Sequence, residues 1–300
     1  MRLYTHTDLD GVFSAVLLSV VEEVDEIKFV DPGTVQAGKI PFREFDIISD
    51  LPFDKRCGMW FDHHESSKPK EGQKFEGAWA MKPSCARVIY DWAENPYLDK
   101  YKDALEEVDR IDSGNVPIGQ ARQPSGWFLL SNTLESNAEK RVDDYYRRHV
   151  IELIRKNPDI NAVLADEEVA ERVKNVNNDL AKFKELLLAN TKMMGKVAFS
   201  DMRGVTEFPR GNNYLVYSLF PSAVTSVRIM PLDDEKDSVK LSVGHNIYGH
   251  KSTFDVGAAM KKLGGGGHRP VGGASVAKDE VDEIVKKLIR EINDWEEGKE

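Results

Sequence analysis

The sequence predicts an α/β fold, with a parallel sheet covered by helices on both faces, a helical connector and a smaller C-terminal α/β domain. Short apolar strands alternate with helices at the start of the chain, which is typical of a buried parallel sheet. A long charged helix is expected at 166–190, and a second series of strands and helices follows it. A chain of 300 residues also exceeds the roughly 250 residues at which single cores tend to split.

The predicted elements divide the chain into three segments, at 1–165, 166–192 and 193–300. In the first segment, strands are predicted at 2–5, 26–30, 46–49 and 58–61, and helices at 11–24, 83–101 and 138–155. In the third, strands are predicted at 196–199, 223–230, 239–243 and 274–277, and helices at 253–263 and 279–295. The middle segment is the expected connector.

The composition is that of an ordinary soluble chain with an acidic balance. Lys and Arg number 41 against 51 Asp and Glu, a net charge of −10. Because a long polyanion is normally bound by a basic surface, long nucleic acid is not expected as a partner. No apolar stretch approaches the roughly 20 residues of a membrane span, and the N-terminus shows no signal region, so a cytoplasmic protein without a membrane partner is expected. The two cysteines, Cys57 and Cys85, are too few for a disulfide framework.

Acidic and histidine side chains follow three of the four strands predicted in the first segment. The first strand leads into His6, Asp8 and Asp10, the third into Asp50, and the fourth into Asp62, His63 and His64. Alternate residues of an extended segment share a face, and the carboxyl ends of parallel strands meet at one edge of the sheet. Taken singly, Asp10 could be a helix cap and the histidines ordinary surface residues. Taken together, the like charges would repel one another unless cations lay between them, so the pattern favours a metal site.

The types of ligand indicate which metal is expected. Carboxylates suit Mg²⁺ and Mn²⁺ and imidazole suits softer ions, so a mixed set without thiolate fits Mn²⁺ best, with Mg²⁺ or Co²⁺ as alternatives. So many carboxylates predict two ions that share a ligand. Asp50 is the candidate bridge because its strand lies between the other two in the sequence. Such a site activates water and stabilises charge on phosphate oxygens, which predicts hydrolysis of a phosphoester or phosphoanhydride.

The order and spacing of these motifs resemble the DHH phosphoesterase superfamily. The resemblance rests on His6-x-Asp8-x-Asp10-Gly11, Asp50, Asp62-His63-His64 and a distant run of four glycines that ends in His268. It covers nearly the whole chain and implies a DHH catalytic domain followed by a DHH-associated substrate-binding domain. The superfamily includes RecJ-type exonucleases, oligoribonucleases, cyclic-dinucleotide phosphodiesterases and exopolyphosphatases.

The resemblance also implies roles for individual residues. Metal ligands would be His6, Asp8, Asp10, Asp50 as the bridge, His63 and Asp112, while His64 would contact the scissile phosphate and Asp62 would orient a ligand imidazole. For the aspartate that follows a helix, Asp112 is favoured over Asp109, which could lie on a solvated helix face. His6 departs from several branches, because it precedes the Asp-x-Asp pair by two residues instead of four.

The glycine run is the candidate substrate-binding element. Successive glycines followed by His268 and Arg269 favour a backbone nest for an anion over a flexible linker. By resemblance, this loop, with Gly265, Gly266, Gly267, His268 and Arg269, is expected to bind substrate, and His245 is a further candidate contact, although relatives that degrade oligonucleotides often carry an arginine in that strand. His245 and His250 could equally be ordinary surface residues.

The combined prediction is a manganese-dependent hydrolase that acts on short oligonucleotides or dinucleotides. Short inorganic polyphosphate is the alternative substrate, since no base-stacking platform is evident in the sequence. A non-catalytic nucleotide or polyphosphate sensor is a second alternative, which the complete ligand set argues against. Editing of misacylated tRNA is a third, but so acidic a chain is a poor tRNA binder. The expected partner is a small phosphorylated molecule, and a homodimer is left open.

Overall fold

The computed structural model describes residues 1–134, 140–209, 211–212, 214–232, 237–249 and 252–298. His250 and the beginning of the helix predicted at 138–155 lie outside these ranges. The chain forms two compact units, one of Met1–Val116 with Pro124–Asn175 and one of Pro117–Gln123 with Val176–Glu300. The three-segment division remains a prediction.

The first unit contains a five-stranded parallel sheet, as the sequence predicts. Its strands are β1 (Arg2–Thr5), β2 (Glu26–Phe29), β3 (Asp46–Ser49), β4 (Met59–Asp62) and β5 (Glu76–Trp79). Their order is β2-β1-β3-β4-β5, and every neighbouring pair is parallel. Because β3 lies between β1 and β4, the three strands that lead into the acidic and histidine motifs are adjacent in space.

Helices cover this sheet. Up to residue 175 the helices of this unit are α1 (Leu9–Val21), α2 (Pro32–Gln36), α3 (Cys85–Ala93), α4 (Lys102–Asp112), α6 (Gly126–Leu134), α7 (Lys140–Lys156), α8 (Ile160–Leu164) and the beginning of α9 (Glu167–Asn190), whereas α5 (Ile118–Arg122) and the rest of α9 belong to the second unit. Helix α1 is apolar on most sides, which is typical of a buried helix. Its Phe13 is fully buried in one core with Ile47 of β3 and Phe61 of β4. This packing fixes the loop between β1 and α1 against the central strands.

The second unit contains a six-stranded mixed sheet. Its strands are β6 (Thr191–Met194), β7 (Val197–Asp201), β8 (Thr225–Pro231), β9 (Ser238–His245), β10 (Gly266–His268) and β11 (Val271–Ala277), and its further helices are α10 (Leu215–Leu219), α11 (Val256–Lys262) and α12 (Val281–Glu297). The order is β10-β11-β9-β8-β7-β6, and β7 and β8 form the parallel pair. Val227, Leu241 and Ile289 are buried together, so α12 packs on one face of this sheet.

No helix among the described residues is both long enough and apolar enough to cross a bilayer.

Candidate metal centre and substrate hairpin

The carboxyl ends of β1, β3 and β4 bring the predicted ligands together. Three groups have ligand atoms within 4.8 Å of one another: His6, Asp8 and Asp50; Asp50, Asp62, His63 and His64; and Asp10, His63 and Asp112. Asp50 belongs to two of these groups, and so does His63. The groups therefore form one continuous cluster, which contains every residue that the sequence suggested as a metal ligand.

Asp50 lies at the centre of the cluster and faces two sets of ligands. Its Oδ2 is 3.6 Å from Nδ1 of His6, and its Oδ1 is 3.7 Å from Nε2 of His63. The residue is 2% exposed, and its backbone is left-handed with φ 55°. This conformation is uncommon outside glycine and costs about 1 kcal/mol or more, although Asp and Asn tolerate it best. The N–H of Asp50 donates to the carbonyl oxygen of Phe61 at 3.0 Å, which holds the turn in place.

His6 and Asp8 form one side of the cluster. Nδ1 of His6 lies 2.7 Å from Oδ2 of Asp8, and Oδ1 of Asp8 accepts the Gly11 N–H at 2.9 Å. Asp8 is therefore the N-cap of α1, instead of Asp10, the cap considered from the sequence. Gly11 is required because a Cβ atom there would lie 2.3 Å from the carbonyl oxygen of His6.

Asp10 is held by the first turn of α3. Its Oδ2 accepts the N–H of Cys85 at 2.7 Å, and its Oδ1 accepts the N–H of Ala86 at 2.8 Å. Asp10 is 1% exposed, and the start of a helix stabilises a buried negative charge of this kind. The sequence does not indicate this contact, because no local pattern shows which buried helix start packs against a carboxylate distant in the sequence.

The two histidines of the Asp62-His63-His64 motif are oriented by different acceptors. Oδ1 of Asp62 lies 2.8 Å from Nδ1 of His64, whereas Nδ1 of His63 lies 3.0 Å from the carbonyl oxygen of Lys82. Nε2 of His63 therefore points into the cluster, 3.3 Å from Oδ2 of Asp112. The Lys82 carbonyl is a second contact that the sequence did not indicate.

The structure separates the two candidates for the aspartate that follows a helix. Asp112 ends α4 and lies in one group with Asp10 and His63. Asp109 does not face them, because its carboxylate accepts hydrogen bonds from Ser84 Oγ at 2.6 Å and from Arg87 Nε at 2.8 Å. Only Asp112 therefore occupies a position suited to a metal ligand.

The cluster fits divalent cations in its donor chemistry. Oδ2 of Asp50 and Nε2 of His63 are buried and have no hydrogen-bond partner among the described residues. Burial, followed by the negative charges of Asp10 and Asp8, raises the pKa of Asp50 well above its usual value. Orphaned donor atoms and repelling carboxylates are both relieved when cations bind between them.

The cluster predicts a pH dependence of metal binding. Burial and neighbouring carboxylates raise the pKa of Asp10 to about 7 and that of Asp112 to about 9, from 3.8 in the unfolded chain. At pH values between 3.8 and these raised pKa values, the folded, metal-free protein binds more protons than the unfolded chain. The free energy of unfolding that this site contributes therefore falls as the pH rises. Cations displace the protons, so Mn²⁺ affinity should rise about tenfold per pH unit for each proton released.

Melting curves with and without Mn²⁺, recorded at about pH 5.5 and about pH 8, measure this linkage. The increase in melting temperature on adding Mn²⁺ should be larger at the higher pH. Equal increases at both pH values would contradict the protonation of the metal-free cluster.

The glycine run of the second unit forms a hairpin. Gly266–His268 is the edge strand β10, paired antiparallel with β11 in the register Gly266 to Gly273 and His268 to Val271. The predicted nest conformation is therefore wrong for these residues, because their backbone is extended and paired. His268 and Arg269 are exposed at the turn. The His245 N–H donates to the Pro270 carbonyl at 2.8 Å, which brings His245 beside that turn.

Replacing Gly267 by alanine should destabilise this hairpin. Gly267 has φ 146°, and a Cβ atom there would lie 2.3 Å from the carbonyl oxygen of Val271. Gly267→Ala is expected to lower the free energy of unfolding by about 1–3 kcal/mol, measured by denaturant titration. Gly266→Ala is the matched control, because a Cβ atom at Gly266 meets nothing within 4 Å. Equal stability of the two variants would contradict the hairpin geometry.

Comparisons with known structures agree with this architecture. The chain is similar to the pGpG-specific phosphodiesterase PggH from Vibrio cholerae, with 28% identity over 97% of this chain and 98% of that chain and a TM-score of 0.84. It is also similar to an exopolyphosphatase-related protein from Bacteroides fragilis, with 14% identity over 97% of this chain and 92% of that chain and a TM-score of 0.56. A third similar structure is RecJ from Thermus thermophilus in complex with Mn²⁺, with 11% identity over 97% of this chain and 51% of that chain and a TM-score of 0.53.

No protein-family model and no curated protein matches the chain. The match to the pGpG-specific phosphodiesterase nevertheless confirms the predicted resemblance to the DHH phosphoesterase superfamily and the α/β fold. The two more distant matches support the fold alone.

Proposed function

We propose that this chain is a metal-dependent phosphodiesterase that hydrolyses a short linear dinucleotide. The observation that carries this proposal is the continuous cluster of carboxylates and imidazoles at three adjacent strand ends. The chain also matches a pGpG-specific phosphodiesterase over nearly the full length of both proteins, which supports a dinucleotide as the substrate.

Two Mn²⁺ ions are the proposed cofactors, with Mg²⁺ or Co²⁺ as alternatives. His6, Asp8 and Asp50 would hold one ion, and Asp10, His63 and Asp112 the other, with one oxygen of Asp50 directed to each group. When bound, such ions activate water and neutralise charge on the phosphate.

His64 is the proposed contact for the scissile phosphate. Its side chain is 45% exposed, and its Nδ1 is bonded to Asp62, so its Nε2 remains to meet a substrate. The hydrogen bond to Asp62 raises the pKa of His64 above its usual value, which favours the protonated ring near neutral pH. A protonated imidazole donates a charge-assisted hydrogen bond to a phosphate oxygen.

The test is product analysis with the purified chain and Mn²⁺. Incubation with pGpG should yield two GMP per molecule by addition of one water, as separated by ion-exchange chromatography. Polyphosphate and pAp are the matched comparison substrates. Release of phosphate from polyphosphate in preference to GMP from pGpG would favour the exopolyphosphatase alternative, and binding of pGpG without turnover would favour a sensor.

His268 is proposed to bind the part of the substrate that is not cleaved. His268→Ala should therefore raise the KM for pGpG about tenfold or more while kcat changes little, because the lost hydrogen bond to a charged group acts in the ground state. Steady-state kinetics measure both constants. Lys261→Ala, which changes an exposed cation on the nearby helix α11, is the control and should leave both unchanged. A fall in kcat alone would instead place His268 at the reacting phosphate.

A further inference from the structure

We propose that Asp109 and Arg87 are positioning residues that set the separation of two proposed metal ligands, Asp10 and Asp112. This inference rests on the proposed function, because it concerns the same metal centre. It assigns a role to Asp109, the aspartate that lies near the cluster without facing it. The role follows from two hydrogen-bonded contacts between α3, α4 and the loop after β1, and from the covalent link along α4.

The first contact joins α4 to the beginning of α3. Oδ1 of Asp109 accepts a hydrogen bond from Ser84 Oγ at 2.6 Å, and Oδ2 lies 2.8 Å from Nε and 2.7 Å from Nη2 of Arg87. Ser84 is the N-cap of α3, since its Oγ accepts the Arg87 N–H at 3.0 Å. The Asp109 carboxylate thus binds both ends of the first turn of α3, at Ser84 and at Arg87.

The second contact joins the same turn to Asp10. The N–H groups of Cys85 and Ala86, which follow Ser84 directly, donate to the two oxygens of Asp10. Hydrogen bonds weaken steeply when donors leave their alignment, so a shift of this turn would release or rotate the Asp10 carboxylate. The position of Asp10 therefore depends on the clamp that Asp109 and Arg87 form.

The third link is covalent. Asp112 lies three residues after Asp109 on α4, about one helical turn further along. The clamp fixes α4 against α3, so it also fixes Asp112 relative to Asp10. These two carboxylates share one group with His63, and their separation decides whether that group can close around a cation.

A purely electrostatic role makes a different prediction. If Asp109 acted only through its negative charge, removing it would weaken cation binding, and removing the positive charge of Arg87 would tighten binding. If the two residues position Asp10 and Asp112, removal of either one weakens binding. The double variant should then bind Mn²⁺ no more weakly than the single variant with the lower affinity, because both substitutions break the same set of contacts.

The experiment is isothermal titration calorimetry, in which Mn²⁺ is added to the metal-free protein without substrate. Arg87→Ala and Asp109→Ala should each weaken one of the binding steps about 10–100-fold. Glu107→Ala is the matched control, because it removes an exposed ion pair with Arg110 on the same helix and should leave binding unchanged. Circular dichroism verifies that each variant folds. Arg87→Lys replaces any variant that does not fold, since it keeps the charge but cannot contact Asp109 through two nitrogens. It should also weaken binding.

Binding that is unchanged or tighter in Arg87→Ala, or unchanged in Arg87→Lys, would overturn the positioning role. If the unaltered chain binds Mn²⁺ normally in that case, the proposed function still stands. If the unaltered chain itself binds no Mn²⁺, both the proposed function and the positioning role are overturned.

Discussion

Asp50→Asn is expected to lower the kcat of Mn²⁺-dependent hydrolysis by about three orders of magnitude or more. The two oxygens of Asp50 face His6 on one side and His63 on the other, so an amide there would remove an anionic ligand from both halves of the proposed centre. Asparagine is the appropriate substitution because it tolerates the left-handed backbone of this position, whereas alanine would add strain. Retained turnover would reject the bridging role.

The same substitution should stabilise the metal-free protein. Burial raises the pKa of Asp50 most, and the negative charges of Asp10, Asp8, Asp112 and Asp62 raise it further. Removing a carboxyl group from this cluster relieves repulsion, so the free energy of unfolding in EDTA should rise by about 1 kcal/mol, most clearly at alkaline pH.

Asp46→Asn is the matched control for both measurements on Asp50. Asp46 begins β3 whereas Asp50 follows its end, and both are 2% exposed, but Asp46 is paired with Arg2 through a contact of 2.6 Å. Its substitution should destabilise the fold and leave metal binding intact. An equal loss of activity in Asp46→Asn would show that damage to β3, and not the lost ligand, explains the Asp50 result.

Asp62→Asn is expected to lower kcat about 10–100-fold, the usual effect of losing a group that orients a functional side chain. The asparagine oxygen can still accept a hydrogen bond, so the loss reflects the missing charge beside His64. Without that charge the pKa of His64 should fall, because the hydrogen bond to Asp62 is the main factor that raises it. The alkaline limb of the pH–rate profile should therefore move to lower pH.

Asp166→Asn is the control for the Asp62 substitution. Asp166 also pairs with a histidine, His149, at 2.9 Å, in the same unit but outside the cluster. Its substitution should leave kcat and the pH profile unchanged. An unaltered kcat in Asp62→Asn would instead show that catalysis does not depend on the orientation of the His64 imidazole by Asp62.

Much of the candidate site could be predicted from the sequence because its residues follow strands directly. The position of a strand end is local information, and parallel strands must end at one edge. His6, Asp8 and Asp50 illustrate this, since the predicted strands and the observed ones end beside the same side chains. The neighbouring order β1-β3-β4 explains why Asp50 is central.

The parts that could not be predicted depend on long-range packing. The start of α3 binds Asp10, and the Lys82 carbonyl orients His63, through backbone groups that have no sequence signature. Strand β5 was missed because its sequence EGAW is short and contains Gly77 at φ 105°. In the glycine run, the sequence showed that small residues were needed but not that they pair as a strand edge.

Two divalent cations are proposed to bind among these strand-end side chains. Anomalous diffraction from crystals grown with Mn²⁺ tests this proposal most directly. Two peaks are expected about 3.5–4 Å apart, one on each side of the Asp50 carboxylate. The absence of any peak among these side chains, with manganese present in the crystal, would contradict the proposal.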